Sequence, residues 1–383
     1  MPQPRGDHPR ILVDASAAFD QGAGIGRYSR NVLSRLMPAM PHAVWKLVYA
    51  PAGASSPAFA LPGADLAAVT RLPFSRRRAD QLWFRARAPL DVRVLAGRAD
   101  IVYSPDFTAP PAFGVPHVVT VHDLAFLTHP ETASEALRRY LSTVVPRQIA
   151  SAAHVMVVSE ATRQDVIAHF GVPEARISVA RNGVDERFFT ASPPTVEQRR
   201  RLALPDNYLL MVGTIEPRKN HRNVLAAQTI ARAHGGLPLV IAGRYGWGDD
   251  ALVDVIRECE RAGDVLWLEY APEDDLPALY AGSRAVVYPS WTEGFGLPVV
   301  EALAAGRPVI TGTAPALREV AGSHARHVDP GDIEALANAM IAMGETTSGD
   351  DDVAVRREWA RTFSWDQSVQ TIRDVLTRMS STR

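Results

Sequence analysis

The stretch RAVVYPSWTEGFGLPVVEALAAGRPVITG (residues 284–312) predicts one strand–loop–helix–strand unit. Residues 285–288 are apolar and rich in valine, which is typical of a buried parallel strand. Pro298 suits the first position of a helix, and Gly306 suits the position that follows its last turn. A helix between two parallel strands forms a βαβ unit, and ligands of such sheets bind beyond the carboxyl ends of the strands. The stretch therefore predicts an α/β fold with a ligand site in the loop 289–296.

Two carboxylates belong to this loop and to the helix that follows it. Glu293 lies in the loop, and Glu301 lies eight residues later in the first turns of the helix, so both can face one ligand. The unpaired N–H groups and the partial positive charge of the helix N-terminus would hold a phosphate. The loop therefore predicts a site for a phosphate-bearing ligand.

The segment Glu-Gly-Phe-Gly-Leu-Pro-Val-Val-Glu-Ala, residues 293–302, resembles the signature of the retaining, nucleotide-sugar-dependent glycosyltransferases of family 4. This resemblance implies the GT-B architecture, in which two Rossmann-like, doubly wound α/β domains face each other across a cleft. It implies that Glu293 is a catalytic residue beside the donor sugar and that Glu301 binds the ribose. It also assigns four neighbouring residues to the donor diphosphate: Gly294, Phe295, Gly296 and Leu297.

Length and composition exclude several classes of protein. At 383 residues the chain exceeds what one hydrophobic core usually serves, so two domains are expected. The formal net charge of −1 provides no overall field that would attract nucleic acid. The single cysteine, Cys259, excludes an internal disulfide. The polar N-terminus does not match a signal peptide, and no apolar run approaches about 18 residues, which predicts a cytoplasmic protein.

A glycine-rich segment follows the first predicted strand, residues 11–15, and opens a helix. Its G-x-G-x-G spacing does not fit the dinucleotide fingerprint, and the second predicted strand, residues 46–50, ends without the acidic residue that binds a ribose. An NAD-dependent oxidoreductase is therefore disfavoured. The family resemblance instead places Gly24 and Gly26 at the donor diphosphate and Arg27 at the acceptor or sugar. A tight turn without a ligand is the alternative.

His122 and Asp123 follow another predicted strand, residues 116–121, at its carboxyl end. This His-Asp pair resembles the family motif in which the histidine touches the donor sugar near its reacting carbon. The resemblance therefore implies a catalytic role for His122, whereas Asp123 either orients the histidine or contacts the acceptor. A purely structural histidine is the alternative.

A basic loop follows the strand that opens the second predicted domain, residues 208–213. Two cations, Arg218 and Lys219, together with Gly213, suit a diphosphate, because the cations neutralise its charge and glycine opens the backbone. The loop resembles the diphosphate-binding motif of the family. Some relatives carry an arginine where this chain has Thr214, so Arg218 or the backbone must supply that share of the binding.

Two further segments concern the ligand and a possible metal. Trp247, in the turn after the next predicted strand, is assigned to the base or sugar pocket, with packing as the alternative. Residues 344–352 predict an acidic loop that contains the D-x-D match, Asp350 to Asp352. No predicted strand precedes this match, so neither a metal site nor a cofactor is expected.

Residues 71–87 carry six arginines against one acid, Asp80, with Trp83 and Phe84 between them. Such a basic amphipathic patch suits an anionic lipid surface or a lipid-linked diphosphate. The hypothesis is peripheral contact with the inner face of the membrane, and a solvated helix face is the alternative.

The predicted domains divide the chain into four parts. An acceptor-binding domain covers 1–189, a linker covers 190–204, a nucleotide-sugar-binding domain covers 205–360, and a helix at 361–383 returns to the first domain.

The expected activity is metal-independent, retaining transfer of a hexose from a nucleotide sugar to a hydroxyl of a glycan or lipid-linked acceptor. The loop at 214–220 and the turn at 246–247 resemble those of bacterial polysaccharide enzymes that use GDP-mannose, which implies mannose as the sugar and the synthesis of bacterial surface polysaccharide. Related enzymes use UDP- or dTDP-sugars, so these donors stay open. A sugar-nucleotide-binding regulator, an inactive relative, and an epimerase or phosphorylase of the same architecture stay open as alternatives.

Overall fold

The computed structural model describes residues 8–22, 24–53, 59–248, 251–345 and 349–381. The chain divides into two compact units, each defined by its own contacts. As far as these ranges are described, unit 1 comprises Met1–Leu124, Arg139–Asn182 and Trp365–Arg383, and unit 2 comprises Ala125–Arg138 and Gly183–Ser364.

The strands of the described ranges form two sheets. In chain order they are β1 (Arg10–Asp14), β2 (Val44–Tyr49), β3 (Ala67–Arg71), β4 (Ile101–Ser104), β5 (His117–Val121), β6 (His154–Val157), β7 (Ile177–Val179), β8 (Leu209–Val212), β9 (Leu239–Ala242), β10 (Val265–Leu268), β11 (Ala285–Tyr288), β12 (Val309–Thr311) and β13 (Arg326–His327).

The α-helices alternate with these strands. In chain order they are α1 (Ser16–Asp20), α2 (Gly24–Ala39), α3 (Arg76–Ala79), α4 (Arg93–Ala96), α5 (Ala125–Thr128), α6 (Glu135–Ser151), α7 (Glu160–Phe170), α8 (Glu186–Phe189), α9 (Val196–Arg201), α10 (His221–Ala233), α11 (Ala251–Arg261), α12 (Leu276–Gly282), α13 (Leu297–Ala304), α14 (Pro315–Ala321), α15 (Ile333–Glu345), α16 (Asp350–Arg361) and α17 (Trp365–Ser381).

Unit 1 contains a seven-stranded sheet in the order β3-β2-β1-β4-β5-β6-β7, in which all neighbouring strands are parallel. Ile11, Leu12 and Val13 of β1 are fully buried, as expected of a parallel strand covered on both faces. The strand order reverses between β1 and β4. The carboxyl ends of these two strands therefore form the kind of edge at which such sheets bind ligands.

Unit 2 contains a six-stranded sheet in the order β10-β9-β8-β11-β12-β13, which is also parallel throughout. Its order reverses between β8 and β11, and Leu209 of β8 pairs with Ala285 of β11. The βαβ unit predicted from residues 284–312 is present as β11, α13 and β12. Two doubly wound parallel sheets confirm the predicted α/β fold class.

Local structure differs from the sequence prediction at three places. The helix α2 begins already at Gly24, so the glycines at 24 and 26 lie in its first turn rather than in the loop before it. The strand β3 was not predicted. The predicted acidic loop 344–352 is wrong at both ends, because α15 extends to Glu345 and α16 begins at Asp350. Carboxylates stabilise the first turn of a helix through the helix dipole, which explains why an acidic run starts this helix. Residues 346–348 of the predicted loop lie outside the described ranges.

The segment between the two predicted domains is helical in part. Residues 196–201 form α9, whose start is a capping box in which Thr195 and Gln198 satisfy each other's backbone N–H groups. None of the described helices has the length and the hydropathy needed to span a bilayer.

Candidate active site

The loops after β8 and β11 carry the principal charged residues of unit 2. Arg218 and Lys219 lie in the short helical turn Pro217–Lys219, and Glu293 lies in the loop after β11. Because β8 and β11 are parallel neighbours, their carboxyl ends lie side by side. The two loops therefore meet where the strand order reverses, at the edge predicted for the ligand.

Glu293 is held by three neighbouring side chains. Its Oε2 accepts a hydrogen bond from Arg218 Nη1 at 3.0 Å, and its Oε1 accepts from Lys219 Nζ at 2.5 Å. The Tyr288 hydroxyl also donates to Oε1, at 2.8 Å, and itself accepts a hydrogen bond from Lys219. The side chain of Glu293 is only 6% exposed. The structure thus brings together the three residues predicted for the sugar and the diphosphate.

The charges of this cluster set the protonation state of Glu293. Burial opposes its ionisation, but the charges of Arg218 and Lys219 outweigh burial and lower the pKa of this carboxyl to about 2. Burial lowers the pKa of the Lys219 ammonium, and Glu293 opposes that shift. Glu293 is therefore a carboxylate at neutral pH, paired with two cations in a water-poor environment.

Glu216 and Tyr288 were not predicted as site residues. Glu216 Oε1 accepts a hydrogen bond from Arg218 Nη2 at 2.9 Å, so Arg218 is shared between two carboxylates. Two cations and two carboxylates give this group no net formal charge. An anionic ligand must therefore compete with Glu216 and Glu293 for the cations, or use the backbone N–H groups of the adjacent helix start.

The start of α13 depends on glycine. Gly296 has φ +103°, and a Cβ atom there would lie 2.8 Å from Leu317 Cδ2. Gly294 and Phe295 are buried, and the Phe295 ring contacts that of Phe363, with centroids 5.7 Å apart. The backbone of this segment, ending at the half-buried Leu297, is thus the part suited to contact a diphosphate.

Glu301 lies in the second turn of α13 and is 1% exposed. Its Oε2 accepts a hydrogen bond from the Tyr280 hydroxyl at 2.9 Å. A buried carboxylate oriented by a tyrosine is suited to accept hydrogen bonds from a diol such as a ribose. The ribose-binding role of Glu301 stays a prediction.

In unit 1, His122 directly follows β5 and is 8% exposed. Its Nε2 donates a hydrogen bond to the carbonyl oxygen of Pro105 at 2.9 Å. Its ring makes edge contacts with Tyr28, at a centroid distance of 4.8 Å, and with Phe107, at 5.7 Å. Burial lowers the pKa of His122, so the imidazole is neutral, and the Pro105 contact assigns its proton to Nε2. The Nδ1 atom is then an acceptor.

A partly buried ion pair holds the turn that contacts His122. Arg76 Nη2 lies 2.8 Å from Asp106 Oδ2, and Asp106 Oδ1 accepts from the backbone N–H of Phe107 at 2.7 Å. Asp106 follows Pro105, whose carbonyl oxygen accepts the hydrogen bond from His122. Arg76, which belongs to the predicted basic patch, therefore stabilises the interior of unit 1.

The apolar side of that basic patch is also internal. Trp83 is 6% exposed and Phe84 is 9% exposed, so both rings belong to the core of unit 1. Asp80 accepts a hydrogen bond from the Tyr140 hydroxyl at 3.1 Å. The remaining arginines of the patch are exposed: Arg71, Arg77, Arg78, Arg85 and Arg87. The amphipathic prediction is wrong about the aromatic residues, and the exposed part of the patch is cationic.

Gly24 and Gly26 differ in what the fold requires of them. A Cβ atom on Gly26 would lie 1.9 Å from the carbonyl oxygen of Gln21, which no side chain can tolerate. A Cβ atom on Gly24 would meet no atom within 4 Å. Packing of α2 thus explains glycine at position 26, whereas close approach of a ligand is a reason for glycine at position 24.

This difference leads to a paired prediction. Gly26→Ala should unfold several degrees below the native protein because the helix start must move, at a cost of about 2 kcal/mol or more. Gly24→Ala should keep or raise the melting temperature, since alanine favours a helix over glycine by about 1 kcal/mol. Calorimetry of both variants and donor and acceptor titrations of Gly24→Ala are the measurements. An unchanged KM for both substrates in Gly24→Ala would remove Gly24 from the predicted site.

The other predicted residues occupy the expected edges of their sheets. Gly213 directly follows β8 and has φ +148°. Arg27 is half-buried on α2, and Asp123 is half-buried beside His122. Trp247 is half-buried in a bend that precedes residues 249–250, which lie outside the described ranges. Across the described part of the chain, no group of three or more His, Cys, Asp or Glu residues has an arrangement suited to a metal ion.

The fold and these site residues are those of a glycosyltransferase, and comparison with protein families identifies which one. Residues 23–188 match the family described as Glycosyltransferase Family 4, and residues 195–351 match Glycosyl transferases group 1. The chain is 31% identical over 376 residues to the O-antigen chain mannosyltransferase B of Escherichia coli, covering 91% of this chain and 94% of that protein. The chain therefore belongs to the group 1 glycosyltransferases and is a nucleotide-sugar-dependent hexosyltransferase.

Solved structures agree on the fold. Sucrose-phosphate synthase from Thermosynechococcus elongatus superposes with a TM-score of 0.74 and 19% identity, covering 98% of this chain and 100% of that chain. Anabaena HepE in complex with UDP and glucose superposes with a TM-score of 0.68 and 19% identity, covering 97% and 99%. The predicted GT-B fold and family are confirmed.

Proposed function

We propose that the protein transfers a mannosyl group from GDP-mannose to a hydroxyl of a glycan or lipid-linked acceptor during the synthesis of a bacterial surface polysaccharide. Transfer retains the anomeric configuration and needs no metal ion. The observation that carries this proposal is the buried cluster of Glu293, Arg218 and Lys219 at the ligand edge of unit 2. The likeness to an O-antigen mannosyltransferase over nearly the whole of both chains supports mannose as the sugar.

The proposed reaction breaks the bond between the anomeric carbon and the diphosphate oxygen. Negative charge develops on the departing diphosphate, and Lys219, Arg218 and the N-terminus of α13 are suited to stabilise it. Positive charge develops at the anomeric carbon, and the carboxylate of Glu293 favours it. The acceptor oxygen forms the new bond on the same face of the sugar. Its proton passes to the departing diphosphate oxygen, so the reaction releases a nucleoside diphosphate.

The neutral cluster suits a change of partners during this reaction. In the structure, Lys219 and Arg218 are bound to Glu293 and Glu216. A bound diphosphate would draw the two cations toward itself, because a doubly charged anion competes well for them. Glu293 would then be less tightly paired and its charge more available to the sugar. Glu293 would therefore stabilise the positive charge of the sugar most strongly when the donor is bound.

Membrane contact through residues 71–87 belongs to the same proposal. Five exposed arginines provide the cationic surface, while the aromatic residues are buried. The contact would therefore be electrostatic and would weaken as salt rises, with about 1 kcal/mol per arginine near an acidic surface. Contact with the membrane surface would bring the protein close to a lipid-linked acceptor.

A donor screen tests the proposed function directly. Thermal unfolding is measured with GDP-mannose and with UDP-, dTDP- and ADP-sugars, in the presence of EDTA. A donor at 100 times its Kd stabilises the unit that binds it by about 2.7 kcal/mol. Stabilisation by GDP-mannose, followed by transfer of mannose with the α-anomer retained in the NMR spectrum of the product, is the expected result.

Each other result has a defined meaning. Stabilisation by a different sugar nucleotide would replace GDP-mannose as the donor and leave the reaction class in place. Binding only after a divalent metal is added back would contradict metal independence. An inverted product anomer would contradict the proposed transfer on one face of the sugar.

A further inference from the structure

Two arginines at the amino ends of strands and two arginines of a helix lie near one another in unit 2. We call Arg284, Arg307, Arg356 and Arg357 the arginine cluster. Arg284 directly precedes β11, Arg307 lies two residues before β12, and the other two belong to α16. The amino and carboxyl ends of parallel strands are opposite edges of a sheet, so this cluster is separate from the edge that carries Glu293.

Two contacts to the backbone bring these arginines together. Arg356 Nη1 donates to the carbonyl oxygen of Gly306 at 3.1 Å, and Gly306 directly precedes Arg307. Arg307 Nη1 lies 3.5 Å from the carbonyl oxygen of Ser283, which directly precedes Arg284. The guanidinium groups from two strand starts and one helix thus converge on one region.

Asp352 partly offsets the positive charge of Arg356, whereas two other members of the cluster have a buried donor that lacks a partner among the described residues. The Nε atoms of Arg307 and Arg357 are buried and have no hydrogen-bond partner in the part of the chain that the structure describes. Burial lowers the pKa of the Arg307 guanidinium, and the charges of Arg357 and Arg356 lower it further. Buried charged groups are normally paired, and a buried donor without a partner indicates a ligand, an ion or a water.

A helix end explains only part of this arrangement. The carbonyl groups at the C-terminus of α13 attract cations, and Arg356 contacts the Gly306 carbonyl beyond that helix end. The unpartnered Nε atoms of Arg307 and Arg357 are not accounted for by that interaction. Convergence of like charges is unfavourable unless an anion compensates it.

We propose that the arginine cluster is an oxyanion site that binds a phosphate group. Guanidinium groups present planar pairs of N–H donors that match phosphate oxygens, which suits Arg307 and Arg357, the members with unpartnered Nε donors. The phosphate is either a free phosphate or the headgroup of an anionic lipid. This inference is independent of the proposed transfer reaction, because it concerns the opposite edge of the sheet.

The first test measures thermal unfolding in phosphate-free buffer and with inorganic phosphate, with sodium chloride at matched ionic strength as reference. Saturating phosphate should raise the melting temperature of the native protein by about 3 °C or more. Arg307→Gln and Arg357→Gln should lose that rise. Without phosphate, both variants should melt at or above the native temperature, because each removes one of several repelling charges.

Two controls locate the effect. Arg261→Gln changes an exposed arginine of α11 in the same unit and should keep the full rise. Lys219→Met alters the candidate donor site and should also keep the rise, which excludes phosphate binding there as its cause. The double variant Arg307→Gln/Arg357→Gln should show no more loss than either single variant.

Sedimentation with vesicles of phosphatidylcholine and phosphatidic acid distinguishes the source of the phosphate. Reduced sedimentation of Arg307→Gln and Arg357→Gln, together with loss of the phosphate effect, would identify a lipid headgroup. Unchanged sedimentation with loss of the phosphate effect would identify a soluble phosphate. The proposal is overturned if phosphate does not stabilise the native protein, if both variants keep the rise, or if both melt several degrees lower without phosphate.

Discussion

Replacement of Glu293 by glutamine is expected to reduce kcat/KM for mannosyl transfer by about 100-fold or more. The variant keeps the shape of the side chain but loses the negative charge that, in the proposed reaction, faces the developing positive charge of the sugar. It also leaves Lys219 and Arg218 without the carboxylate that they share in the structure. Transfer assays at several donor concentrations, on protein shown to be folded by calorimetry, are the measurement.

Glu216→Gln is the matched control for this variant. Glu216 also forms an ion pair with Arg218, at 2.9 Å, but it contacts Lys219 through its backbone carbonyl, whereas Glu293 contacts Lys219 through its carboxylate. We expect a much smaller loss of activity, of about 10-fold or less, because Glu293, the carboxylate proposed to lie beside the sugar, remains. Equal losses in the two variants would mean that Glu293 acts only by holding Arg218.

The stability of the native protein and of Glu293→Gln in acid gives a second test of Glu293 that needs no substrate. Its pKa in the folded protein is about 2, below the ordinary value of 4.5, so ionised Glu293 stabilises the fold. That contribution, up to about 3 kcal/mol, is complete above pH 4.5 and is lost as the pH falls through about 2. Glu293→Gln should therefore be less stable than the native protein at neutral pH, and this difference should shrink in acid.

Replacement of Lys219 by methionine is expected to lower kcat by about 100- to 1,000-fold and to weaken donor binding. The ammonium group is buried and belongs to the loop that we propose binds the diphosphate, so its loss removes charge stabilisation where little water can replace it. Methionine keeps most of the volume of the side chain, which limits the effect on packing. Single-turnover rates and donor titrations separate the effect on chemistry from that on binding.

The other lysine of the chain, Lys46, provides the control. It lies on β2 of unit 1 and donates to the carbonyl oxygen of Ala96 at 3.0 Å. Lys46→Met should change kcat by less than about 3-fold, since its hydrogen bond is made within unit 1 and it belongs to neither of the charged loops of unit 2. In Lys219→Met, the pKa of Glu293 should rise because one of its two cationic partners is lost. As the pH falls, this variant should therefore begin to lose stability at a higher pH than the native protein does. Full activity of Lys219→Met would contradict the assigned role.

Much of the fold could be predicted because its signals are local. The valine-rich run at 285–288, Pro298 and Gly306 predicted β11, α13 and the start of β12 closely. A buried strand needs a short apolar run, and a helix needs a suitable first turn and a residue that ends it. These requirements are met by residues a few positions apart. The family signature in the same stretch supplied the candidate side chains, Glu293 and Glu301, whose roles stay predictions.

The contacts between side chains within the site could not be predicted from local sequence patterns. Glu293 forms hydrogen bonds with Arg218 and Lys219, which lie 75 and 74 positions earlier in the chain. Their contact depends on the parallel pairing of β8 with β11, which a local pattern does not specify. Pairing, in turn, lowers the pKa of Glu293 and makes the cluster neutral. The sequence indicated two cations for a diphosphate, whereas their neutralisation by two carboxylates required the structure.

The arginines show most clearly which features follow from the sequence and which depend on the tertiary structure. By itself the sequence determined where charges and apolar runs occur, and thus the two α/β units, the carboxyl-end loops and the candidate residues in them. Only the tertiary structure decided that Arg76 pairs with Asp106 inside unit 1, while the Nε atoms of Arg307 and Arg357 remain buried without a partner among the described residues. The physical reason is that burial and ion pairing depend on which strands become neighbours, and residues far apart along the chain make those contacts.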